Sequence, residues 1–148
     1  MFSPKQIMVP TDFSEYSDKA LKQAVDIAKQ YNSRIYLLHV VGSVIQCTID
    51  YCLDPKTTNL IEKESIAAAK KMIQEQILKF PDSKGLEIIA DIRKGTPYEE
   101  ILKAQQEQKA DLIVIASHGQ TGLIRHLMGS VAEKVIRHSK CSVLLVKN

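Results

Sequence analysis

The sequence predicts an α/β fold, a five-stranded parallel doubly wound sheet of flavodoxin-like or Rossmann-like kind with helices on both faces. Three observations carry this. Short apolar runs rich in β-branched residues recur along the chain, and such runs read as strands buried on both faces. Amphipathic stretches with apolar residues at helical spacing lie between them. The two kinds of segment alternate as β-α-β-α-β-α-β-α-β, which implies a mostly parallel sheet joined by right-handed crossovers.

Each element has its own signature. Gln6-Ile7-Met8-Val9 is a short strand stopped by Pro10, and Thr11-Asp12-Phe13-Ser14 then offers several side chains able to cap a helix. In that helix Ala20, Ala24, Ile27, Ala28 and Tyr31 recur on one face. Arg34 to Val41 is the second strand. Residues 42–57 have no clean period and read as a long irregular loop. A helix from about Thr58 to Phe80 follows, with Ile66, Ala69, Ile73, Ile77 and Phe80 along one face and Pro81 and Gly85 closing it. Leu86 to Arg93 is the third strand. Gly95-Thr96-Pro97-Tyr98-Glu99 marks a helix start, with threonine as N-cap and proline at the first helical position. That helix reaches roughly Gln108. A strand at 112–116, a glycine-punctuated loop, a helix at 130–138 and a last strand, Ser142 to Lys147, complete the chain.

Composition narrows the classes. With 148 residues, one domain spanning 1–148 is expected. The 45% apolar and 25% charged shares are those of a globular protein. Net charge is only +3 and the basic residues are dispersed, so no nucleic-acid partner is expected. The apolar runs are far shorter than the ~20 residues a membrane helix requires, so no membrane role is expected either. Met1-Phe2-Ser3-Pro4-Lys5 lacks the apolar core of a secretory signal. Cys47, Cys52 and Cys141 form an odd set without a paired spacing. They read as reduced thiols of a cytoplasmic protein rather than a zinc site.

The stretch from Asp111 to Val135 carries the chemistry. A buried strand ends at Ala116, three glycines punctuate the segment (Gly119, Gly122, Gly129), and a helix restarts at Gly129-Ser130. Glycine admits close backbone approach, and a helix start offers unpaired N–H groups with partial positive charge, a natural anion site. Ser130 with Glu133 also fits a capping box, which needs no ligand. In a doubly wound sheet ligands bind beyond the strand carboxyl ends where the winding reverses. Pro10-Thr11-Asp12 and Ala116-Ser117-His118-Gly119 would flank that crevice, so topology and glycine loop point to one place.

The spacing Ala116-x2-Gly119-x9-Gly129-Ser130 closely resembles the G-x2-G-x9-G-[S/T] signature of ATP-binding universal stress proteins. The likeness covers the whole chain: Ile7-Met8-Val9-Pro10-Thr11-Asp12-Phe13-Ser14, the run 37–41, Gly95-Thr96-Pro97, the run 110–119 and the run 142–147 stand in that family's order. The resemblance implies an ATP site in which Asp12 holds the ribose, with Pro10 and Thr11 lining the pocket. Backbone around Val40 would meet the adenine edge. Ala116, His118 and Gly119 would approach ribose and phosphates, and Gly129, Ser130 and Val131 would cradle the β/γ end. Chemistry agrees, since a carboxylate accepts from ribose hydroxyls and N–H groups at a helix start receive phosphate oxygens. One departure is Ala116 in place of the signature's first glycine. Its methyl group is small and it follows a strand, so alanine is expected to be tolerated.

The resemblance further implies an adenine nucleotide, ATP with or without Mg2+ or Mn2+, and a homodimer formed through the C-terminal strand 142–147. Val143-Leu144-Leu145-Val146 would be an aggregation hazard if left as a bare edge. Other residues have plainer readings. Asp12 could serve only as a helix cap, His39 reads as a satisfied core histidine, and His138 complements a helix C-terminus. Arg125 and His126 fall in the spacer, where they could neutralise phosphate charge or equally face water. A Walker loop, a dinucleotide fingerprint and a phosphoacceptor cluster are all absent, and no nucleophile–base pair stands out. The expectation is a cytoplasmic module whose nucleotide state controls conformation or the choice of an unidentified protein partner, with slow ATP hydrolysis at most. The alternative is a nucleotide-free dimeric interaction protein of the same fold.

Overall fold

Successive residues of the central strands enter opposite cores, which is what burial on both faces requires. Ile7 and Val9 pack with Ile35, Leu37, Leu112 and Val114 on one face. Met8, Tyr36, Leu38, Ile113 and Ile115 pack on the other. The computed structural model describes residues 1–42, 54–119 and 127–147. The strands are β1 (Gln6–Pro10), β2 (Arg34–Val41), β3 (Ile88–Lys94), β4 (Leu112–Ala116) and β5 (Ser142–Val146). The helices are α1 (Glu15–Tyr31), α2 (Pro55–Leu78), α3 (Pro97–Glu107) and α4 (Ser130–His138), with a short 3-10 turn at Pro81–Ser83.

All neighbouring strands are parallel, in the order β3-β2-β1-β4-β5. The chain winds outward from β1 to β3, then crosses back to lay β4 and β5 on the other side. The reversal falls between β1 and β4, so a crevice opens beyond their carboxyl ends. Helix α1 buries Ala20, Leu21, Ala24, Val25 and Ala28 in the first core, joined by Ile73 of α2. Helices α3 and α4 bury Ile101, Ala104, Ala132 and Val135 in the second. No helix among the described residues is long and apolar enough to cross a membrane.

Several boundaries differ from the sequence expectation, each for a local reason. Pro10 remains in β1, paired with Leu38, because its missing N–H would point to the β4 side, where pairing has already ended at Met8. Helix α2 starts at Pro55 rather than Thr58: the Asp54 carboxylate accepts from Thr57 N at 2.8 Å, and Pro55 supplies the first helical residue. The expected loop 42–57 therefore loses its last residues to a helix, and 43–53, with Cys47 and Cys52, lie outside the described residues. Strand β3 starts at Ile88, since Gly85 (φ 88°) and the bond from Leu86 N to Ser83 O hold the preceding residues in a turn. Thr96 is the N-cap of α3, but its side chain makes no capping bond.

Gly95 shows where backbone geometry dictates residue type. Its φ is 145°, its N–H donates to Val41 O at 3.0 Å, and a Cβ there would stand 3.0 Å from Glu100 Cγ. Gly95→Ala is expected to cost about 1–2 kcal/mol, read as a lower urea midpoint with unchanged slope. A midpoint equal to that of the unsubstituted protein would contradict it.

Asp91, inside β3, has a structural role. It accepts from the Tyr36 hydroxyl and lies 3.1 Å from Arg93 Nε. Arg93 also reaches Glu107 (2.6 Å) and Glu100 (3.9 Å) on α3. Burial, and then the bond to Asp91, push the Tyr36 phenol above its ordinary value of 10.0. A raised folded-state value means that the native protein holds this proton more tightly than the unfolded chain. The stabilisation is thus complete below pH 10.0 and is lost as pH rises through the folded value. Thermal unfolding between about pH 9 and pH 12 should show this loss, and Tyr36→Phe should flatten it. An equally steep loss in Tyr36→Phe would assign the alkaline transition elsewhere.

Candidate functional site

The crevice between the ends of β1 and β4 holds a cavity of about 310 Å3, within the range of small-molecule sites. Leu38, Ile101, Ile115 and Ala132, drawn from the second core, give it apolar walls. Asp12, His39, Ser117, His118 and Ser130 give it polar groups. Apolar walls with a few placed polar atoms suit a ligand that carries a flat apolar body and a polar tail.

The turn after β1 presents Asp12. Its Oδ1 accepts from Ser14 N at 3.0 Å and from the Ser14 hydroxyl, while Ser14 itself caps α1 by accepting from Ser17 N. Asp12 is therefore not the helix cap. Its Oδ2 lies 2.6 Å from where a Cβ on Gly119 would stand, a separation no real side chain could occupy. Gly119 thus lets the loop after β4 close onto the carboxylate, and it does so without a left-handed backbone. Thr11 is turned away: its hydroxyl donates to Gln76 Oε1 (2.8 Å), lies 3.0 Å from Ser17 Oγ, and accepts from Phe13 N. It lines the cavity while its hydroxyl ties β1 to α1 and α2.

The exit of β4 makes the opposite rim. Ala116 pairs with Val146 in extended strand, and its position demands no glycine. Ser117 N donates to Val146 O (2.9 Å), and Ser117 O accepts from Gly129 N (2.7 Å), which fastens the start of α4 to the end of β4. Ser117 Oγ and His118 Nδ1 are hydrogen bonded at 2.8 Å, and His118 Nε2 is buried with no partner among the described residues. No carboxylate backs this imidazole among the described residues, so the pair lacks the orienting group of a nucleophile–base relay.

Helix α4 settles the choice between capping box and open helix start. Its N-cap is Gly129, not Ser130, and no side chain caps it. Glu133 N donates to Gly129 O, the first intrahelical bond. Gly129 N–H is spent on Ser117, whereas the N–H groups of Ser130, Val131 and Ala132, the first three helical residues, lie ahead of the helical ladder. A Cβ on Gly129 would meet Ser117 O at 3.4 Å, an ordinary contact, so the protein around it does not itself demand glycine there.

Strand register exposes Val40. Leu38 O accepts from Thr11 N and Val41 O accepts from Gly95 N. Alternation therefore turns the Val40 peptide groups toward the side that β1, ending at Pro10, has left open. All ten residues expected at the site (Pro10, Thr11, Asp12, Val40, Ala116, His118, Gly119, Gly129, Ser130 and Val131) line this one cavity. Ser117, in the turn expected to flank the crevice, lines it too, as do His39, read as core, and Ser17, Leu38, Pro97, Ile101, Ile115 and Ala132, which the sequence does not single out for the site. His39 is satisfied, its Nδ1 lying 2.7 Å from Thr11 O, but it stands in the cavity wall. Arg125 and His126 lie outside the described residues. Among the described residues no group of three His, Cys, Asp or Glu side chains could hold a metal ion. Cys141 is a free thiol, which burial pushes up and so keeps protonated.

A parallel sheet that reverses its winding at a crevice, flanked by a carboxylate–glycine contact and an uncapped helix start, defines an α/β protein built around a switch-point site. The chain belongs to the universal stress protein family, whose pattern it matches over residues 4–147. It is similar to universal stress protein MJ0531 of Methanocaldococcus jannaschii, 36% identical over 146 residues, spanning 97% of this chain and 82% of that one. The solved structure of MJ0577 from the same organism superposes with a TM-score of 0.85 at 31% identity, covering 99% of this chain and 98% of that one. Two more distant structures share the fold at 23% identity. One is a universal stress protein in complex with cAMP (TM-score 0.73, 99% and 98% covered). The other is the Archaeoglobus fulgidus protein in complex with dAMP (TM-score 0.61, 99% and 100% covered).

Proposed function

We propose that this universal stress protein binds ATP in the crevice between β1 and β4 and acts, as a single cytoplasmic domain, as a nucleotide-dependent regulatory module. The observation that carries the reading is the convergence on one cavity of the Asp12 carboxylate, closely approached by Gly119, and the uncapped start of α4. One end of the cavity suits hydroxyl donors and the other suits an anion. Adenine nucleotides in fold relatives, cAMP in one and dAMP in another, are consistent with it.

In this reading Asp12 accepts from the ribose, with Pro10 and Thr11 beside it, and Ala116, His118 and Gly119 border ribose and phosphates. The Val40 peptide meets the adenine edge: its C=O accepts from N6 and its N–H donates to N1. Guanine presents an acceptor and a donor in those places, so the same peptide opposes it. The Ser130 and Val131 N–H groups receive the β/γ oxygens, and Gly129 supplies room rather than a donor. Mg2+ or Mn2+ would arrive on the phosphates, since the described residues build no metal site of their own. The reading assigns no hydrolytic step to these side chains. Strand β5, at the sheet edge with Val143, Leu144 and Leu145 half-buried, suits a homodimer contact.

Isothermal titration tests the reading. ATP is expected to bind with one site per chain and at least about tenfold more tightly than GTP, the cost of two mismatched polar contacts. Absence of binding heat for both would overturn it in favour of a nucleotide-free interaction protein. Light scattering over a wide concentration range checks the dimer, which a strictly monomeric mass would contradict.

A further inference from the structure

The turn after β1 is strained; bonds within it, from Phe13 N to Thr11 Oγ1 and from Ser14 N to Asp12 Oδ1, hold it locally, and β2 adds contacts from outside. Phe13 adopts φ 65°, a left-handed conformation that strains a non-glycine residue. Such a residue persists only where its surroundings hold it. From β2, Leu38 O accepts from Thr11 N at 2.8 Å, and His39 makes two further contacts. Its Nδ1 lies 2.7 Å from Thr11 O, and its ring lies on the Phe13 ring with centroids 4.3 Å apart. A carbonyl oxygen only accepts, so Nδ1 carries the proton and donates. Thr11 and Phe13 are the two neighbours of Asp12. His39 therefore grips the turn on both sides of the carboxylate that meets Gly119.

We propose that His39 is a positioning residue for the Asp12 carboxylate, and through it for recognition of the nucleotide's ribose hydroxyls. The inference rests on the ATP-site reading above. Without His39 the Thr11 carbonyl loses its donor and Phe13 loses the ring against it. The turn is then freer to relax toward an ordinary backbone, and the Asp12 carboxylate, although Ser14 still bonds its Oδ1, is less closely set opposite Gly119. The base and phosphate contacts, made by β2 backbone and α4, do not depend on this turn. Loss of His39 should therefore cost affinity selectively, in the part that comes from hydroxyl groups.

The test compares ATP with 2′,3′-dideoxy-ATP by titration on the full chain carrying His39→Leu or His39→Asn. The unsubstituted protein is expected to prefer ATP by about tenfold or more, the worth of hydrogen bonds to a carboxylate. In His39→Leu that ratio should fall toward one while dideoxy-ATP affinity changes less than about threefold. His39→Asn, whose amide nitrogen stands near the place of Nδ1, should recover most of the ratio. A wild-type ratio in His39→Leu, or an equal loss for both nucleotides, would overturn the proposal and leave His39 a wall contact. Should the unsubstituted protein bind neither nucleotide, the ATP reading itself fails. The positioning claim then stands or falls on a crystal structure of His39→Leu: a relaxed Phe13 φ and a displaced Asp12 support it, and an unmoved turn overturns it.

Discussion

Replacing Asp12 by alanine is expected to weaken ATP binding about 30-fold, the equivalent of about 2 kcal/mol for hydrogen bonds to a charged acceptor. The carboxylate is half-buried, and its Oδ1 is already anchored by Ser14 N and the Ser14 hydroxyl. Anchoring of Oδ1 holds the carboxylate in place, and preorganised contacts keep most of their worth. Gly119→Ala should reach the same end by another route. A Cβ at 2.6 Å from Oδ2 forces the carboxylate aside, while the backbone at Gly119 accepts alanine without strain. Both variants should keep the ligand-free thermal midpoint within about 4 °C, because neither opens a core cavity. Titration of the two against the parent protein checks this. Parent affinity in Asp12→Ala would remove the carboxylate from the site, and a cold-labile or unfolded Gly119→Ala would show that the glycine serves the fold instead.

Ser130→Pro should separate the phosphate end from the rest of the nucleotide. Ser130 is the first residue of α4, where proline is favoured because the N–H has no helical partner. The preceding residue must be extended, and Gly129 already lies at φ −60°, ψ 146°. The substitution thus deletes one N–H and one hydroxyl at the helix start while leaving the helix intact. ATP affinity is expected to fall about tenfold and AMP affinity to change little, since the lost donors meet only the distal phosphates. Circular dichroism and thermal melting should match the parent protein. Equal losses for ATP and AMP would mean that α4 faces another part of the ligand, and no loss for either would deny the helix start any part in binding.

The fold was legible because the strands announce themselves through continuous apolar runs and the helices through their spacing. Strand residues as different as Met8, Tyr36 and Ile113 share one core, and the sequence pattern alone assigns them to buried strands. What local pattern could not reveal is set by contacts between distant segments. Ser130 and Glu133 read as a capping box, yet the cap falls on Gly129, whose N–H is drawn to Ser117 O across the crevice. Pro55 reads as the end of a loop, yet with Asp54 as its cap it opens α2. His39 reads as core because it sits in an apolar strand. It reaches the cavity only because β2 continues past Leu38, where its pairing with β1 ends. Ser117 stands in the turn expected to flank the crevice, but its two backbone bonds, which tie β4 to β5 and to α4, are not visible in spacing. The site motif itself was legible, since Asp12, Gly119 and Gly129 occupy recognisable places between elements, and Ala116 fits because β4 is still extended there.

Mass spectrometry of small molecules released on denaturing the freshly purified, undialysed protein tests the central claim most directly. The ATP-site reading predicts recovery of ATP, or ADP derived from it, approaching one per chain, and its loss from protein carrying Asp12→Ala. Protein that releases no adenine nucleotide and takes up none from added Mg-ATP would contradict it.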